Sequence, residues 1–154
     1  MAKKLLCLIC LLLALSSVAA AQNLDKVSAT PNGMLYLDKD EIHTLSNAQK
    51  QAVLLVETRE QFTNTTYLNK LRQTAPELKE AAAVSRILMF NNDGTKVAVM
   101  NTMFTDKEEN IVYSIEGSTT LQPVKSRLIM QVYEKALDEL ERQKRVADML
   151  RKKI

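Results

Sequence analysis

The sequence predicts an α+β domain: a predominantly antiparallel five-stranded sheet, a broken central helix and a long C-terminal amphipathic helix. Apolar runs at Ala52–Val56, Ile87–Phe90, Val97–Phe104 and Ile111–Ile115 have strand length and are bounded by polar turns. Between the second and third runs, Asp93-Gly94 is a strong hairpin signal, because glycine supplies the positive φ that tight hairpin turns need. From Leu128 onward the apolar residues recur at helical spacing instead.

The elements follow in chain order. Lys3 and Lys4 precede an apolar stretch from Leu5 to Val18, and Ala19 and Ala21 offer the small side chains of a signal-peptidase site. Residues 1–21 therefore read as a cleaved signal peptide, and the short Lys-Lys start resembles that of bacterial exported proteins. The mature protein is expected in the periplasm or secreted, beginning near Gln22. Cleavage removes both cysteines, Cys7 and Cys10, so the mature domain must hold together by its core rather than by disulfides. About 130 residues suffice for one such core. Residues 22–33 are polar, end in Thr30-Pro31-Asn32-Gly33 and read as a flexible leader, which leaves 34–154 as a single domain.

Within that domain, Met34–Leu37 and Ile42–Leu45 are expected as short strands around a charged turn. Ala52–Val56 reads as a strand buried on both faces. From Arg59 to Ala83 the spacing turns helical, interrupted at Thr74-Ala75-Pro76-Glu77. That tetrad fits a capping box with proline in the first turn, so two helical pieces are expected. The strand at Val97 has apolar residues on both faces and is placed centrally, with helices on both sides of the sheet. The last element runs from Pro123 to Lys153.

Little in the chain carries chemistry. His43 is the only histidine, and one histidine without cysteine is a poor start for a zinc site. Asp38-x-Asp40 lacks the glycine and closing glutamate of a calcium loop. The three glycines past the signal are not clustered, and no serine lies in a nucleophile elbow. No catalytic residue, metal ligand or cofactor is assigned, and the chain reads as a non-enzyme. Asn64-Thr65-Thr66 matches a glycosylation sequon, which has meaning only in a eukaryotic source.

A partner is suggested at the C-terminus. A 4-3-4-3 reading runs a seam through Leu140, Gln143, Ala147, Leu150 and Ile154, beyond the wide stripe that ends at Leu140. Some thirty helical residues span roughly 45 Å, more than a small domain covers. From Arg142 to Ile154 six basic groups face Asp148 alone. Without Lys3 and Lys4 the formal charge falls from +3 to +1, so the tail holds +5 and the rest of the mature chain −4. Near-neutrality argues against a nucleic-acid binder. The reading is an exported interaction module that docks another protein, or itself, through this helix, with weak contact to an anionic membrane surface as a lesser role. The alternative is a small apolar ligand held between sheet and helix near Met89, Met100, Met103 and Met130.

Val53–Val56, a helix around Ala75-Pro76-Glu77-Leu78 and Ile87–Phe90 resemble the first β-α-β of a thioredoxin-like domain. The Cys-x-x-Cys of that family is missing, and the Asp93-Gly94 turn forces the next strand beside its predecessor. The element order ββ-α-βββ-α resembles a roadblock-like or profilin-like sheet in pattern only, and implies no function.

Overall fold

The structure is a computed structural model that describes residues 23–47 and 49–152. The segment read as a signal peptide and Ile154 lie outside the described residues. Strands β1 (Leu24–Ala29), β2 (Gly33–Ser46), β3 (Ala52–Phe62), β4 (Ala83–Asn91), β5 (Lys96–Thr105) and β6 (Ile111–Glu116) pair antiparallel in simple chain order. A two-residue strand, β7 (Gln122–Pro123), pairs with the start of β5, so β6 and β7 share one edge of β5. The sheet curls into a half-barrel. Helix α1 (Thr65–Thr74) and a single 3-10 turn (Pro76–Leu78) connect β3 to β4, and helix α2 (Arg127–Arg151) closes the chain.

Strand alternation decides where the core sits. Leu54, Val56, Leu88 and Phe90 point to one face and join Leu35, Leu37 and Ile42 under Val132, Tyr133 and Ala136 of α2. Val53, Met89 and Ala98 point the other way and form a smaller cluster with Leu55, Met100 and Leu121. The Asp93-Gly94 turn makes β4 and β5 hairpin neighbours, with Phe90 opposite Val97. Within that turn only Gly94 has a positive φ, +71°, and its N–H donates to Asn91 O at 3.1 Å, which differs from the doubly positive turn the dipeptide suggests.

Several expectations are corrected. The sheet has seven strands rather than five. The segment read as a leader contains β1, whose Val27 packs against the main core and whose Lys26 pairs with Tyr36. The two short strands expected at 34–45 are one long strand with an irregularity between Leu37 and Ile42. There is no broken central helix. Arg59–Phe62 stay extended because the buried Arg59 and Glu60 find charges across the sheet: Glu109 at 3.5 Å and Arg86 at 3.3 Å. Such pairing leaves no trace in apolar spacing.

Thr74 caps nothing. Its hydroxyl donates to Lys70 O at 2.9 Å, and the 3-10 turn that follows has no side-chain cap. The cap of α1 is Asn64, whose Oδ1 accepts from Tyr67 N at 3.1 Å while its amide nitrogen donates to Pro31 O. Ala83 and Val84 are buried in strand β4 rather than on a second helical piece. β5 lies next to the edge, not at the centre. The final helix begins at Arg127, since Pro123 already belongs to β7. Among the described residues no helix is long and apolar enough to cross a membrane.

Candidate functional site

Helix α2 crosses one face of the sheet from the β4–β5 turn to β1 and β2. Just before the helix, Val124 N donates to Thr95 O at 2.8 Å. Tyr133 then packs on Phe90 with ring centroids 5.3 Å apart and donates its hydroxyl to Asn92 O at 2.7 Å. A Cβ on Gly94 would lie 2.4 Å from the Tyr133 ring, so the turn and the helix fit only with glycine there. Further along, Lys135 Nζ meets Asp25 at 3.2 Å.

Glu139 is buried and takes two hydrogen bonds from Arg142, Nε at 2.7 Å and Nη2 at 2.5 Å. These bonds hold the Glu139 carboxyl below the usual carboxylate range against the opposing effect of burial, with help from Gln143. Gln143 Nε2 donates to Lys39 O at 3.1 Å, and this is the last tie between α2 and the sheet in the described residues.

Beyond it every described residue of α2 is exposed. Val132, Ala136, Glu139 and Gln143 mark the sheet-facing side. At i+3 and i+4 spacing that side continues through Val146, Ala147 and Leu150, with Met149 beside them. Met149 is 58 % and Leu150 60 % exposed. From Lys144 to Arg151 the free segment is about 12 Å long.

Of the residues singled out in the seam, Leu140 is half-buried and packs against the main core, and Gln143 is bound to β2. Ala147 and Leu150 are exposed, and Ile154 is outside the described residues. Val146 and Met149 were missed, though their i,i+3,i+4 relation to Leu150 is present in the sequence.

The four methionines do not gather at one place between sheet and helix. Met89 and Met100 sit with Leu121 on the face opposite α2, and Met103 lies further down that face. Met130 is half-buried on α2. His43 is exposed, with Nε2 3.2 Å from Glu41.

A second constellation, absent from the sequence reading, lies on the face opposite α2. Register brings Arg59 of β3 opposite Ser85 of β4, and Ser85 opposite Met103 of β5. With Glu57, Thr105, Ile111 and Glu109 they line a pocket of about 180 Å³. Burial holds the Glu57 carboxyl above its ordinary range; Ser85 opposes this, Asp38 and Glu41 add to it, and Arg59 opposes it. No sequence signal marks this site, because its members come from separate strands and only register joins them. No protein-family model, curated protein or solved structure matches the chain.

Proposed function

We propose that the protein is an exported, non-enzymatic module that docks a partner protein through the overhanging turns of α2. The observation that carries this is the continuation of the sheet-facing stripe past Gln143 with no described residue packed on it. Helices bury such stripes. Covering Met149 and Leu150 contributes on the order of 1.5–3 kcal/mol each.

The occupant is a protein with an apolar groove and an acidic rim, engaged in the helix-in-groove manner. Arg142, Lys144, Arg145, Arg151 and Lys152 accompany the stripe against Asp148 alone, and Lys153 follows in the sequence. A second copy laid along it end to end would bring +5 beside +5 and be repelled. A membrane surface is a weaker fit, since only a few apolar side chains would enter it.

The test is a photo-crosslinking residue at position 146 of the full chain in its native cell. The expected result is a discrete adduct with a protein of acidic surface, lost in Met149→Glu/Leu150→Glu, while the melting temperature of that variant is unchanged. An adduct that survives the substitutions overturns the proposal. So does self-association in sedimentation at micromolar concentration, or flotation with anionic vesicles in place of a protein adduct.

A further inference from the structure

We propose that the pocket on the face opposite α2 binds a small zwitterion of the α-amino-acid type, its carboxylate on Arg59 and its ammonium on Glu57. The pocket is built from strand residues. Glu57 and Arg59, two apart on β3, share a face. Ser85 and Met103 continue the row across β4 and β5, and Thr105 pairs with Ile111 at the start of β6.

Two of its polar atoms are buried without being satisfied. The Arg59 side chain is 7 % exposed, and Thr105 is 5 % exposed. Neither Arg59 Nε nor Thr105 Oγ1 has a hydrogen-bond partner among the described residues. Buried donors are nearly always paired, and an unpaired one is a reason to look for a ligand.

Arg59 already faces one carboxylate, but poorly. Glu109 Oε1 lies 3.5 Å from Nη2, beyond the roughly 2.7–2.9 Å of a charge-assisted bond. Glu109 belongs to the β5–β6 turn, has φ +68° and keeps 45 % of its side chain in solvent. A non-glycine residue in that backbone region is strained. Arg59 is enclosed and Glu109 is not. When a ligand enters, Glu109 is the side chain that swings out.

Charge and shape choose the ligand class. The pocket holds one cation and two acids, with Asp38 and Glu41 also within the field of Glu57. A dianion is repelled. A plain carboxylate leaves Glu57 uncompensated, and a plain amine leaves Arg59 with only its long contact to Glu109 and an unpaired Nε. A zwitterion answers both, and the planar guanidinium suits a carboxylate. The Ser85 and Thr105 hydroxyls supply neutral hydrogen bonds. Met103 and Ile111 make an apolar wall for a short aliphatic side chain. At ~30 Å³ for one water, the volume holds roughly six waters, the scale of a valine-sized molecule.

The experiment titrates the purified protein, followed by amide NMR shifts and calorimetry, with L-valine, 3-methylbutanoate (valine without its amine) and 2-methylpropylamine (valine without its carboxylate). Valine is expected to saturate shifts centred on Ser85 and Thr105, with each analogue about tenfold weaker. Glu109→Gln removes the competing carboxylate and should tighten valine about fivefold. Glu57→Gln should erase the preference for valine over 3-methylbutanoate, and Arg59→Lys should abolish binding with the fold intact by NMR. The proposal is overturned if the Glu109→Gln protein shows no saturable shift at about 10 mM valine. It is equally overturned if 3-methylbutanoate binds as well as valine, or if the shifts lie elsewhere.

Discussion

The two halves of α2 have similar helical character and opposite fates. Up to Gln143 the helix is pinned: Val132 and Ala136 are fully buried, Tyr133 is locked on the β4–β5 turn, and Lys135 and Gln143 reach β1 and β2. Past Gln143 the same face carries Val146, Met149 and Leu150 into solvent. Amphipathic periodicity reports that a face is apolar, not that the molecule covers it. The difference between the halves comes from where the sheet ends.

The comparison can be broken most severely from the sheet side. Phe90 is completely buried beneath Tyr133, and Phe90→Ala should cost about 3–5 kcal/mol in a denaturant melt. A loss below about 1 kcal/mol would mean that the proximal half is not held by this packing. Gly94→Ala combines a positive φ with a clash against the Tyr133 ring, and a loss of about 1–3 kcal/mol is expected. Tyr133→Phe keeps the ring and removes only the bond to Asn92 O, so about 1 kcal/mol should disappear.

Glu139 offers a pH-dependent probe of the boundary between the halves. Its folded carboxyl is depressed relative to the unfolded chain, so its stabilisation is present above the unfolded carboxylate pKa. That contribution is lost as pH falls through the folded value. Glu139→Gln should therefore be less stable than the parent at pH 7, with the gap closing towards low pH; a gap independent of pH would remove the charge explanation. The smallest effect belongs to the distal half. Met149→Glu with Leu150→Glu should stay within about 0.5 kcal/mol of the parent. Truncation after Lys144 should likewise spare the fold, whereas truncation after Leu140 would remove Arg142 and Gln143, which serve Glu139 and Lys39.

Individual elements were legible, but the architecture of the sheet was not. The strands near Val53, Ile87, Val97 and Ile111, the turn at Gly94 and the stripe of α2 all follow from apolar spacing and turn chemistry. The misreadings share a cause. β1 contributes little more than Val27 to the core, and an edge strand of mixed polarity looks like a leader. Arg59 and Glu60 are buried by pairing across strands, which no one-dimensional period records. The exposed end of α2 could be anticipated from helix length against domain size; Leu150 is exposed there, whereas Gln143 is a tether to β2. The Arg59 pocket is assembled by strand register alone and was invisible.

The strictly sequential order of the sheet has a kinetic consequence. Each strand from β2 to β6 pairs with the one just before it, so most contacts close short loops and the fold can assemble hairpin by hairpin as the chain emerges. Helix α2 is the exception, because it must return to β1 and β2 across nearly the whole chain. Until it docks, Leu37, Val56, Leu88 and Phe90 lie bare on one face. A chain interrupted before Arg127 would form a sheet with an uncovered greasy side, the kind of species that quality-control proteases and holdase chaperones recognise. The last helix is thus the step that converts a sticky intermediate into a finished protein.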